Sequence, residues 1–390
     1  MASQSPGYSW RALVAMFVLG AVSPVIFSSN WLLEVAAQNQ PPTKDPTKDP
    51  TKDPTKTPVK TTPTTEAAQP IKGWRQGEGW GWIWGEKDEV GALNGLTTAS
   101  VQAALKLAKE GKTYDLGINY SRNSFKWPGH SPAEIMSFRT PGGIKRQRDN
   151  AFALPEVNPS GQAWHSCAVF ISDNVATQID GLGHVTVGID DHWYNGFKEA
   201  DWGGDFGVRK CDATTIPPII ARGVLLDIIG LKQAQGEKIE ALPAHYGITR
   251  QDVDDCLKWQ NLELRPGDVV LFRTGTLKFW GRDGADLEKL TFHDSAGITL
   301  ATAKHLVQNF GSVMIGSDTS GLEVSPAQEG SDSFIPVHKY LLIEQGVHIA
   351  EFHYLEDLAR DKVYEFCYMG TVNKIVGTTA GFCLRPLALK

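Results

Sequence analysis

The chain has 390 residues, a formal charge of −6, and 41% hydrophobic residues, with 12 Trp and 39 Gly. That composition describes a globular protein with ample material for a large core, not a disordered chain. No basic stripe or aromatic-interleaved Lys/Arg run appears outside the N-terminal region, which argues against nucleic acid as a partner.

In chain order, the first feature is Arg11 followed by an uncharged run from Ala12 to Phe27, and then Val35-Ala-Ala37, a small-residue site of the kind signal peptidases cut. Pro24 and the short length argue against a well-formed spanning helix, which wants about 20 apolar residues. Residues 1–37 are therefore expected to be an export signal or an N-terminal membrane tether. Either places the folded part in a periplasmic, extracellular or lumenal compartment. Residues 38–72 read as a disordered linker, because Thr-Lys-Asp-Pro repeats from Thr43 and a proline every fourth residue forbids helix and ladder pairing. Residues 73–390 are expected to form the folded domain. Its five cysteines contain no Cys-x-x-Cys pair. They read as buried apolar thiols with room for one disulfide, and no pairing is assigned.

The aromatic, glycine-rich stretch from Gly79 to Gly85 opens that domain and leads to a predicted helix over Thr98–Glu110, with Gly111 just past its end. Strand-like runs follow at Thr113–Ile118, Ala168–Ile171, Gly223–Ile229, Asp268–Phe272, Ser312–Ile315 and Val347–Ile349. Helical stretches fall at Thr249–Gln260, Thr299–Asn309 and His338–Gln345, with Asp294 or Ser295 expected to cap the second. The alternation predicts an α/β domain, a mixed β-sheet or barrel-like core with flanking helices. No Walker loop or Rossmann glycine fingerprint is present, so a nucleotide cofactor is not indicated.

The residues able to do chemistry begin with Asp180 and His184. Gly181 and Gly183 let the backbone turn sharply and bring both side chains to one cleft. The same pair equally fits a loop-stabilising contact. His338 opens an apolar helix, where packing or capping is its plain role. Glu351 ends an apolar strand, an expensive place for a charge without a metal, Lys or Arg as partner. Spacing alone does not join these positions. His353, two residues beyond Glu351, falls on the same face if that segment stays extended.

From about Trp80 onward the chain resembles the putative cyclase family, which includes bacterial kynurenine formamidase and isatin hydrolase. The likeness is carried by Trp84-Gly-Glu-Lys-Asp-Glu-Val-Gly-Ala-Leu-Asn94, Asp115-Leu with Trp127-Pro-Gly-His130, the run from Pro218 to Asp227, Gly267 to Gly275, and Gly316-Ser-Asp-Thr-Ser320. The family signature, His-x-Gly-Thr-His-x-Asp-x-Pro-x-His, falls on Asn174 to His184. Thr177, Asp180 and His184 match it; Asn174 and Gln178 stand where the family has metal-binding histidines, and Leu182 replaces the proline.

The resemblance implies a metal-dependent hydrolase acting on an amide, lactam or lactone. It assigns metal binding to Asp180, His338 and Glu351, with Gln178 as a fourth candidate, and acid–base work to His184. One divalent metal is expected, Zn or Mn first among the ions such donors suit. Trp127 and Trp84 are expected to line a substrate pocket, with His192 in a loop wall beside it. Partners are a small-molecule substrate and further copies of the chain, as a homodimer or homotetramer. Two rival readings are a metal-free lyase or cyclase using His184 and Glu351, and an inactive small-molecule binding protein.

Overall fold

Val269-Val-Leu-Phe272 is fully buried along its whole length. A run of large apolar side chains without polar alternation is what a parallel strand covered on both faces demands. The computed structural model describes residues 83–127, 133–147, 154–281, 286, 288–290, 295–327 and 332–390. The expected export segment and linker, and also Trp80, Trp82, His130 and Asp294, lie outside the described residues.

The strands, in chain order, are β1 Thr113–Asp115, β2 Ala133–Arg139, β3 Ser166–Ile171, β4 Gln178–Asp180, β5 Ile219–Asp227, β6 Gly247–Ile248, β7 Val269–Arg273, β8 Gly297–Ile298, β9 Met314–Ser317, β10 His348–Glu351, β11 Glu365–Gly370, β12 Ala380–Gly381 and β13 Leu387–Leu389. Nine of them build one mixed sheet in the order β1-β13-β11-β5-β7-β9-β10-β4-β12, curled into a half-barrel. Its centre, β5-β7-β9-β10, is parallel, and β11, β13 and β1 on one side and β4 and β12 on the other are antiparallel. The predicted mixed α/β core is therefore what forms. Two short ribbons, β2–β3 and β6–β8, stand apart from this sheet.

One face of the sheet carries Val224, Leu226, Val270, Phe272, Ile315 and Ile349 against apolar residues of helices Ile228–Ala234, Arg250–Gln260, Leu300–Phe310 and Lys339–Gln345. The other carries Ile179, Leu225, Leu271, Met314 and Ala350 against Leu93, Leu355 and Leu358. Thr249 caps Arg250–Gln260 through a capping box with Asp252, and Thr299 itself caps Leu300–Phe310 by accepting from the Thr302 amide. The latter corrects the expectation of a cap at Asp294 or Ser295.

Two boundaries also differ from the sequence reading, each for a tertiary reason. The first helix stops at Leu105, because the chain beyond it is drawn toward the last strand: Glu110 and Lys112 donate their amides to the Lys390 carbonyl. The run ending at Ile229 changes from strand to helix after Asp227, whose carboxylate accepts the Gly230 amide and starts the helix. All five cysteines are free thiols: Cys211, Cys256 and Cys367 are buried, and Cys167 and Cys383 are exposed. Among the described residues no helix is long and apolar enough to cross a membrane.

His348 opens β10 in full burial, and neither ring nitrogen has a hydrogen-bond partner among the described residues. Burial holds its pKa down at about 3. The folded state therefore refuses a proton that the unfolded chain accepts near pH 6.5. Its share of stability is present above that pH and is lost as pH falls toward 3, at about 1.4 kcal/mol per pH unit. Replacing His348→Leu should shrink the loss of unfolding free energy between pH 7.5 and pH 5 by about 2 kcal/mol. Urea unfolding at the two pH values measures this, and an undiminished loss in the variant refutes it.

Candidate metal centre

Antiparallel pairing of β4 with β10 sets Gln178 opposite Glu351 and Asp180 opposite Ile349. Side chains alternate across a strand, so Gln178, Asp180 and Glu351 emerge on one face. That is the face covered by Leu300–Phe310 and by the helix that carries His338. Beyond Asp180 the chain turns under close backbone constraint. A Cβ on Gly181 would meet the Thr379 carbonyl oxygen at 2.7 Å, and one on Gly183 the Cys211 carbonyl oxygen at 3.2 Å. Glycine permits the first approach without a shift of the backbone, and the second is tight for any other residue. The turn then delivers His184, with its amide bonded to the Gly181 carbonyl.

His338 reaches the same point from a helix that begins with Pro336. Glu323 anchors it by accepting the backbone amides of Val337 and His338, each at 3.0 Å, and by pairing with the His338 Nδ1. The other ring nitrogen, Nε2, is thereby aimed at the carboxylates, 3.7 Å from Asp180 Oδ2 and 3.5 Å from Glu351 Oε1. A ligating histidine held by a carboxylate on its second nitrogen is the usual arrangement around a protein-bound metal. Ligand atoms of Asp180, His338 and Glu351 all lie within 4.8 Å of one another, and all three residues are buried.

The electrostatics of this cluster call for a cation. Asp180 Oδ2 is buried with no hydrogen-bond partner among the described residues. Its near neighbour His338 Nε2, at 3.7 Å, is too far for a hydrogen bond, and a buried oxygen left without one is costly in a low-dielectric interior. Burial and the adjacent Asp180 charge raise the pKa of Glu351, against the pull of His338. Burial would lower His338, but its bonds to Glu323 and Glu351 prevail and hold it well above the ordinary histidine range. A divalent ion would replace this shared proton load, and two oxygens with one imidazole nitrogen fit Zn(II) or Mn(II).

His184 is half-buried, its ring 6.4 Å from that of His338. It also lines a cleft of about 650 Å³ with Val185, Val187, Phe334, Ile335 and Lys339. It therefore stands between the open cleft and the buried triad. The remaining expected residues are more scattered. His192 pairs with Asp190 at 2.7 Å and packs behind Gly188, a lining residue of the cleft. Trp127 donates to the Ser320 carbonyl and sits edge-on to Phe125, beyond the end of β9. Trp84 lies by Gly95 and Val313, the residue before β9 and so at its opposite end: a Cβ on Gly95 would stand 3.9 Å from the Trp84 ring and 3.6 Å from Val313. His353 departs from the extended path: Phe352 takes a left-handed conformation, and His353 meets the Glu351 backbone carbonyl and the Tyr368 hydroxyl instead of the Glu351 carboxylate.

Sequence reasoning missed Glu323. Its signal was of the same kind that exposed Glu351, a lone carboxylate between the apolar residues Leu322 and Val324.

The family model described as "Putative cyclase" matches residues 114–324, which is 211 of 390 residues, and the chain belongs to that family. Among solved structures, a novel cyclase is 29% identical, with a TM-score of 0.66 over 80% of this chain and 99% of its own. Isatin hydrolase A from Labrenzia aggregata, bound to benzyl benzoate, is 16% identical, with a TM-score of 0.49 over 74% of this chain and 98% of its own. Isatin hydrolase A from Ralstonia solanacearum is 17% identical, with a TM-score of 0.48 over 74% and 95%. No protein with a curated description matches the sequence.

Because Glu323 aims His338, a Glu323→Gln variant should bind Zn(II) or Mn(II) about 10–100-fold more weakly while remaining folded. Isothermal titration of the chelator-stripped protein measures this, and an unchanged dissociation constant refutes it.

Proposed function

We propose that this chain is a metal-dependent hydrolase that opens an amide, lactam or lactone bond of a small, largely apolar substrate. The observation that carries the reading is the convergence of Asp180, His338 and Glu351, with an unpartnered Asp180 oxygen at the centre and His184 at the edge of an adjoining cleft. Membership of the cyclase family supports it. Val185, Val187, Phe334 and Ile335 give the cleft apolar walls, suited to a hydrocarbon or aromatic substrate body.

Asp180, His338 and Glu351 would hold the ion. Bound there, a divalent ion supplies Lewis acidity toward the scissile carbonyl and lowers the pKa of water. His184 would take a proton from the attacking water and return it to the departing amine or alkoxide. An imidazole suits both transfers, since its ordinary pKa lies near neutrality. Glu323 keeps His338 from rotating away, and the covered face of the sheet limits water to the cleft side.

The wider setting belongs to the same reading. Export through residues 1–37 and a tether across residues 38–72 would hold the enzyme outside the inner membrane or in a lumen. The ribbon β2–β3 exposes Met136, Phe138 and Phe170, with Val169 exposed on its other face, and these apolar residues suit pairing of two copies.

The test is hydrolysis across a panel of cyclic amides and lactones. A chelator should abolish turnover, and restoring Zn(II) or Mn(II) should recover it. His184→Ala should lower kcat by about 10²–10⁴ with KM little changed. Asp180→Ala should remove activity without unfolding the protein. Turnover that survives metal removal, or an active Asp180→Ala variant, sinks the reading.

A further inference from the structure

Gln178 is a neutral residue placed between two buried carboxylates. Its side-chain nitrogen lies 2.7 Å from Glu351 Oε2, 3.1 Å from Asp180 Oδ1 and 3.4 Å from Asn174 Oδ1. Three acceptor oxygens thus surround one donor nitrogen. The opposite amide orientation would press Oε1 against two carboxylates, so the hydrogen bonds select the observed one. Gln178 is buried, and its own Oε1 has no partner among the described residues. An amide whose acceptor half goes unused while its donor half meets three oxygens is acting through that donor half.

The consequence for the two carboxylates is a division of labour between their oxygens. Asp180 Oδ1 and Glu351 Oε2 face the Gln178 amide. Asp180 Oδ2 and Glu351 Oε1 face His338 Nε2. Two buried carboxylates this close repel each other when both are ionised, and a shared donor is one of the few neutral groups able to hold them together.

We propose that Gln178 is a positioning residue, not a metal ligand. Its amide ties Asp180 to Glu351 and leaves each carboxylate one oxygen for a single ion. This rests on the metal centre proposed above, and it makes that centre strictly mononuclear.

The experiment uses the full chain as wild type, Gln178→Met and Gln178→Glu. Metal per chain is measured by equilibrium dialysis against Zn(II) or Mn(II) with elemental analysis. Melting temperature is measured on the chelator-stripped proteins. Wild type should bind one ion. Gln178→Met, similar in length but without a donor, should still bind one, about 10–100-fold more weakly. Its stripped form should melt several degrees lower, because the carboxylates lose their shared partner. Gln178→Glu should bind a second ion and, when stripped, melt lower still. Gln178→Asn, which keeps the amide but withdraws it by one methylene, serves if Gln178→Met does not fold.

Two ions in wild type, or a Gln178→Met protein equal to wild type in both affinity and melting, overturns the proposal. If wild type binds no ion, the hydrolase reading fails and the stripped-protein melting decides the clamp alone: a lower melting point in Gln178→Met sustains it, and an equal one overturns it.

Discussion

Everything in the candidate site follows from one pairing, the short antiparallel ladder between β4 and β10. It is only a few residues long, yet it puts the carboxylates of Asp180 and Glu351 on the same face of a sheet whose both faces are covered. Two like charges in that setting are unfavourable by far more than a typical hydrogen bond returns. The surrounding structure answers with three different groups. Gln178 supplies donors, His338 supplies an ionisable nitrogen, and Glu323 holds that nitrogen in place. What these groups leave without a hydrogen bond among the described residues is Asp180 Oδ2, which has only His338 Nε2 nearby, at 3.7 Å.

The parallel centre of the sheet was legible in the sequence because its chemistry is local. Val269-Val-Leu-Phe and Gly223-Val-Leu-Leu are apolar runs bounded by turn residues, and burial on both faces requires little else. β4 was not legible as a strand. Gln178-Ile-Asp is three residues, two of them polar, and the apolar face expected of a strand is reduced to Ile179. It is a strand because β10 and β12 flank it and pair with its backbone on both sides. The same limit applies to β11, β12 and β13, each of which has a partner far away in sequence: β5, β4 and β1. Tertiary pairing decides such segments, not propensity.

The site was legible in parts. A carboxylate at the end of an apolar strand and a histidine after Gly-x-Gly each carry a physical signal, and the family resemblance joined them. Local periodicity could not show that the chain leaves the extended region at Phe352, which redirects His353 from the carboxylate to the strand backbone. Nor could it place Trp84, which belongs to the far end of β9 even though an aromatic residue in a glycine-rich loop invites a pocket role.

The ladder between β4 and β10 also has a kinetic meaning. It joins residues 169 to 173 positions apart, and the pairing of β4 with β12 joins residues 200 or more apart. Closing loops of that length costs entropy before any contact repays it, so these are contacts that form late. The parallel centre and its covering helices can assemble first and present β10 as an open edge. Asp180 and Glu351 then meet only when β4 docks on that edge. Until that docking, water can solvate the two carboxylates that the finished sheet buries.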